Sequence, residues 1–174
     1  MNIKNQLSQP LSRQNSINII DYVGQDLQRF EELLSIFSGP DLRLSGLAAH
    51  TLSLFAESSP DLIIPHLPHL IESLFDRPAV AIKRNVLRII QTLHIPRDFE
   101  GKLYELCLEY LHSANEPIAI RAFSMTILRK IAVNYPDLTK EVMLCIQDVM
   151  AHDQSPGIQA RGKKELKILS KTLV

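Results

Sequence analysis

The chain has 174 residues, and its 19 lysines and arginines match 19 aspartates and glutamates, so the formal charge is zero. It is 45% hydrophobic and only 6% aromatic, with no tryptophan. That length suits one domain with a real core, and the composition is too apolar for a disordered chain. Charges interrupt every apolar run, which excludes a span of about 20 apolar residues, and MNIKNQLSQPLSRQNS lacks the apolar stretch of a secretory signal. Two cysteines cannot build a disulfide framework, so a reducing, cytoplasmic setting is the expectation. A neutral total counts against a uniformly basic nucleic-acid binder, although it leaves the arrangement of charge open.

Residues 1–16 are polar and are expected to form a loose N-terminal arm. Beyond them the apolar residues step by three or four, the spacing of one helix face. A first helix is expected over 17–37 on Ile19, Val23, Leu27, Phe30, Leu33, Leu34 and Phe37, tolerating Gly24. A turn at Pro40 leads to a second helix over 41–57, on Leu44, Leu47, Leu52 and Phe55. After SPDL (59–62) a third helix carries Leu67, Leu70, Ile71 and Leu74; Pro65 and Pro68 suit its early turns but not its interior. Pro78 heads a fourth on Ile82, Val86, Ile89, Ile90 and Leu93. PRDF (96–99) opens a fifth on Leu103, Leu106 and Tyr110, and Pro117 a sixth on Ile118, Met125, Leu128 and Ala132. YPDL (135–138) opens a seventh on Leu138, Val142, Ile146 and Val149, and Pro156 an eighth on Ile158, Leu166, Leu169 and Leu173. Asp98 and Asp137 are placed to cap the fifth and seventh helices. A proline at the head of each even-numbered helix sits where a missing amide hydrogen costs least. No segment alternates like a strand between hairpin turns.

The prolines reveal a repeat. Pro40, Pro78, Pro117 and Pro156 are almost evenly spaced, and a second ladder, Asp61, Asp98 and Asp137, runs out of phase with nearly the same step. Two interleaved ladders mean two turns per repeat of about 39 residues, inside the range of helical solenoid units. The expectation is a single domain over 17–174 made of four antiparallel helix pairs, A then B, at about 17–57, 61–94, 98–134 and 137–174. Neither helix of a pair can bury its apolar face alone, so stacking of successive pairs must supply the core.

Two-helix units of this length, with a turn proline and an acidic-then-basic pair near the start of helix B, resemble HEAT repeats. The acidic partners are Asp41, Asp76, Glu116 and Asp153, and the basic ones Arg43, Lys83, Arg121 and Arg161. The spacing within these pairs is uneven, shortest from Asp41 to Arg43 and longest from Asp153 to Arg161. The resemblance is therefore to HEAT-like repeats generally, over about 17–174. It implies an all-α fold, a right-handed α-solenoid (a HEAT-like α–α superhelix) whose B helices line a concave face. It also implies a binding scaffold, without specifying a ligand.

The neutral total conceals a segregation: the four A helices sum to −10 and the four B helices to +9. On the concave face implied by the resemblance, Arg84, Arg88, Arg129, Lys130, Lys163, Lys164 and Lys167 would form a basic surface that attracts an acidic protein partner. The competing reading is that opposite charges neutralise one another at the seams. Arg43, Lys83, Arg121 and Arg161 would then form a ladder with the turn acids, each exposed pair worth about 0–1 kcal/mol. The alternative function is a nucleic-acid-binding module. HEAT-like DNA alkylation repair glycosylases have a basic concave face, but this chain has no tryptophan and no aromatic-plus-aspartate cleft for a damaged base.

Catalytic chemistry is hard to place. There is no Gly-rich phosphate loop, GxSxG, HExxH or CxxC. His66 and His69 share a helix face, yet with only Glu72 and His50 as further candidates they complete no familiar zinc spacing. Cys107 and Cys145 fall one repeat apart on successive A helices beside the core stripe, and behave there as small hydrophobes. His112 and His152 close successive A helices, where an imidazole suits the C-terminal end. The sequence therefore reads as a non-enzymatic, monomeric module with no catalytic residue, no cofactor, no metal and no membrane segment.

Overall fold

The structure is a computed structural model that describes residues 1–10, 12–76 and 79–172. Among these residues the regular structure is entirely helical, and the architecture is an α-solenoid. The chain divides into two compact units, 1–93 and 94–174, where the sequence drew one body over 17–174.

In the first unit α1 (Ile3–Leu7) and α2 (Arg13–Val23) pack against α3 (Leu27–Ser38) and α4 (Leu42–Ser58). Next come α5 (Pro60–Ile63), a 3-10 turn (Ile64–His66), α6 (Leu67–Asp76) and α7 (Val80–Thr92). The pairs are α3 with α4 and α6 with α7, and α4 lies directly on α7. In the second unit α8 (Arg97–His112) pairs with α9 (Ile118–Asn134), and α10 (Thr139–His152) with α11 (Pro156–Leu169). There α9 lies on α11 and α8 on α10, so within each unit B helices stack on B helices.

Four expectations are corrected. Residues 1–16 are not a loose arm: α1 is capped by the Asn2 side chain, and its Ile3 and Leu7, four apart on one face, are buried. Gly24 is not absorbed into one long helix. It takes φ +51°, a left-handed conformation that suits glycine, and it ends α2 before Asp26 caps α3 through the amides of Gln28 and Arg29. Leu27 lands on the solvent side of the new helix at 64% exposure. Asp98 and Asp137 are not caps either: Asp98 lies in the first turn of α8, which starts after Pro96, and Asp137 in the 3-10 turn (Pro136–Leu138) ahead of α10. The capping aspartate of a B helix is Asp41, which accepts from the amides of Arg43 and Leu44. Pro117 precedes α9 and Pro156 starts α11, as the proline ladder requires, whereas Pro78 and Leu173 lie outside the described residues.

The core is shared by both helices of each pair, with Phe30, Leu33 and Phe37 of α3 and Leu67, Leu70 and Ile71 of α6 buried against the B helices. Leu44, Ala48, Leu52 and Phe55 of α4, Ile82, Val86, Ile89 and Ile90 of α7, and Ile120, Met125, Leu128 and Ile131 of α9 are buried. Small residues let these helices come close. A Cβ on Gly46 of α4 would lie 2.8 Å from the Cβ of Ala81 on α7, and one on Gly157 of α11 would lie 2.7 Å from Ile118 Cγ2 on α9. Gly162 of α11 makes room in the same way for the Met150 side chain of α10.

Replacing Ile3 by Ala should therefore cost about 2–3 kcal/mol in urea unfolding. A loose arm would make the change silent.

Candidate interaction face

The B helices are fixed on their inner side by the apolar stripe, which leaves their polar residues on the outside. Arg84 is exposed on α7 and has no ion pair among the described residues. Arg88, one turn on, is half-buried and directs Nε (3.1 Å) and a terminal nitrogen (2.6 Å) onto Glu57 Oε1 of α4. Arg88 is thus a tie between neighbouring B helices as well as a surface cation.

In the second unit the tie is more deeply set. Glu165 of α11 is 1% exposed; its Oε1 accepts from Thr126 Oγ1 (2.7 Å) and its Oε2 from Arg129 Nε (2.9 Å), both on α9. A guanidinium nitrogen of Arg161 donates to the same Thr126 hydroxyl at 2.5 Å. Lys130 is half-buried, and burial, with Arg129 beside it, pushes its ammonium down to about 8. Lys163, Lys164 and Lys167 of α11 are exposed and without an ion pair among the described residues. The seven cations expected to act together therefore differ in kind. Arg84 and the three α11 lysines are open to solvent, while Arg88 and Arg129 hold B helices together.

The basic residues that open the B helices also part company. Arg121 is buried, donates Nε to the Leu111 carbonyl (3.2 Å) and pairs with Asp153 Oδ2 at 2.5 Å, as a structural ladder would have it. Hydrogen bonds from Ser155, then Arg121, hold the Asp153 carboxyl below its ordinary range. Lys83 is buried, Arg161 lies over the Phe123 ring at 5.8 Å, and Arg43 is exposed.

Two buried carboxylates, Glu165 and Glu100, were not singled out by the sequence. Glu100 of α8 is 4% exposed and accepts from Asn134 Nδ2 (2.9 Å) and the Tyr135 hydroxyl (2.7 Å), fastening α8 to the end of α9. The signal for both was the repeat itself. Glu165 continues the register of Thr51, Ile89 and Ile127, each one repeat from the next and all buried. Glu100 follows the aspartate ladder by two, as do the buried Ile63 and Thr139.

The remaining candidates for chemistry are packing residues. His66 packs against Phe30, and His69 meets the edge of Phe37 and shares a 2.7 Å hydrogen bond with Ser38. No group of metal-ligating residues gathers among the described residues. Cys107 is fully buried, and burial pushes its thiol up to about 12; Cys145 is half-buried and is raised for the same first reason. Among the described residues no helix is long and apolar enough to cross a membrane.

With paired helices stacked through their B members, the architecture is that of a repeat scaffold. A family model described as a HEAT repeat domain matches residues 3–169, and the chain belongs to that family. The match begins at α1, in agreement with its buried side chains. No curated protein and no solved structure matches the chain. HEAT repeats usually mediate protein interactions and are generally non-catalytic.

The two inter-helix ion pairs should differ in weight. Glu165→Ala removes a buried carboxylate that satisfies two partners and should cost about 2–4 kcal/mol by urea unfolding. Glu57→Ala opens a half-exposed pair and should cost under about 1 kcal/mol.

Proposed function

We propose that the protein is a non-catalytic interaction module that takes an acidic partner protein on the outer face of its B helices. The observation that carries this reading is the set of exposed cations without ion pairs among the described residues, Arg84, Lys163, Lys164 and Lys167, on helices whose sum is +9 against −10 on their A partners. Such cations retain their field, whereas those already paired have spent most of theirs on a neighbour. Arg88, one turn from Arg84 on α7, and Arg129 and Lys130 on α9 add to the positive potential of their own units, with Arg88 and Arg129 also serving the fold. The partner is a protein because the family is one of protein-binding scaffolds.

The protein acts as a monomer in this reading. In α11, Lys163 occupies the position held by buried Ala49, Leu87 and Met125 in the other B helices, and it is exposed. A lysine there disfavours the burial of that flank against another helix.

The test is affinity capture from native lysate at low salt, with and without nuclease. The wild type is run beside a variant carrying R84E, K163E, K164E and K167E. These positions leave the buried ties intact, so the variant should keep its melting temperature yet lose a defined acidic protein that the wild type retains. Identical captures by the two forms would contradict the proposal. Capture that vanishes with nuclease and falls steeply with salt would mark a phosphate-backbone binder instead.

A further inference from the structure

The close crossing of α4 and α7 at Gly46 and Ala81 leaves a groove of about 330 Å³ beside it. Its walls are Leu42, Arg43, Leu47, His50, Arg84 and Asn85. Three features set it apart from a plain patch of charge. Leu42, the first residue of α4, holds an aliphatic side chain 52% exposed, and Leu47, a turn further on, is only half-buried. Arg43 and Arg84 are exposed on opposite walls, one from each helix, and neither has an ion pair among the described residues. Between them His50 sits half-buried beside Asn85, whose side-chain nitrogen donates to the Ala81 carbonyl (2.9 Å). Burial, with Arg88 and Arg84 nearby, lowers the affinity of that imidazole for a proton, so near neutral pH the groove's charge comes from its two arginines.

The corresponding crossing in the other unit is built differently. There Ile118 lies against Gly157, Ala119 replaces Arg43, and Ala160 replaces Arg84. Phe123 stands at the place of Leu47 with the Arg161 guanidinium over its ring, and Arg161 is engaged with Thr126. Beside that crossing Phe123 and Arg161, which lie against each other, take the places of Leu47 and Asn85. At α4 and α7 the smaller Leu47 and Asn85 leave the groove open.

We propose that the α4/α7 groove docks a short acidic segment of a partner protein. One aliphatic side chain of the segment lies against Leu42 and Leu47, and carboxylates on either side of it pair with Arg43 and Arg84. The proposal rests on the reading of this protein as a binder of acidic proteins, and it adds where the segment seats and why charge alone is not enough. An aliphatic residue that enters the groove takes Leu42 out of water along with itself. A guanidinium presents a planar fork that fits a carboxylate with two hydrogen bonds. The aliphatic walls do not suit nucleic acid, whose unpaired bases are gripped by stacking on aromatic rings.

The test uses the full chain, isotopically labelled, and two synthetic peptides of equal charge, each with glutamates flanking one central residue. That residue is leucine in one peptide and serine in the other. The leucine peptide should shift the signals of Leu42, Leu47, His50 and Asn85 and bind roughly tenfold or more tightly than the serine peptide. R43E with R84E should abolish this binding, L42E should weaken it by a similar factor, and K163E with K164E and K167E should leave it unchanged. All of these substituted residues are exposed, so unaltered spectra elsewhere will show that the variants fold. Equal affinity for the two peptides, shifts confined to α11, or no shift by about 1 mM of the leucine peptide would overturn the proposal. So would a single-stranded oligonucleotide that displaces the leucine peptide. Failure of the groove while the α11 lysines still retain an acidic protein would leave the broader reading standing, and loss of both would end it.

Discussion

Everything in each unit hangs on the contact between one B helix and the next. An isolated helix pair has an apolar face on each member and no second layer to cover it, so its neighbour must do so. Gly46 against Ala81, and Gly157 against Ile118, bring the backbones close enough for the flanking leucines and isoleucines to interdigitate. The A helices then cover the outside of that layer. This is why α4, α7 and α9 are buried over much of their circumference, Lys83 and Asn85 of α7 included, while α3, α8 and α10 bury one stripe.

Close B–B packing also decides what the cations do. Where two B helices touch, an arginine long enough to cross the seam finds a carboxylate on the other side, as Arg88 finds Glu57 and Arg129 finds Glu165. Such a residue serves the stack first. Cations that point away from the seam, or that flank a stretch where the side chains are small, stay in water with their charge uncompensated. It is that second group that the proposed acidic partner would read. The same geometry thus divides a chemically uniform set of basic residues into ties and handles, and the division is invisible to a count of charges.

The repeat, the helix pairs and the family were legible because prolines, aspartates and the apolar step recur at nearly fixed intervals. Less legible were the places where one residue overrides the period. Gly24 ends a helix because its backbone turns left-handed, although the apolar step runs straight through it. Ile3 and Leu7 are two apolar residues in a polar stretch, too few to stand out by composition yet correctly spaced to dock. Asp98 and Asp137 carry the right side chain for a cap, but Asp98 already lies inside the first turn of α8 and Asp137 in the 3-10 turn ahead of α10, because the preceding proline starts the chain turning. At the face, the sequence supplied the candidates but not their burial. Glu165 looked like one acid among lysines, and only its place in the register of buried residues marks it as a seam residue. Arg43 looked like a rung of the ladder, and only the open space beside Gly46 makes it a wall of a groove.

The central claim is that the B-helix layer carries the stability and leaves its outer face to binding. Native-state hydrogen exchange reads this most directly, since protection rises with the free energy needed to expose each amide. The slowest amides should lie in α4 and α7 of the first unit and in α9 of the second, with α3, α8 and α10 exchanging faster. If α3, α8 or α10 proves as protected as its B partner, the layers are of equal weight and the account is wrong.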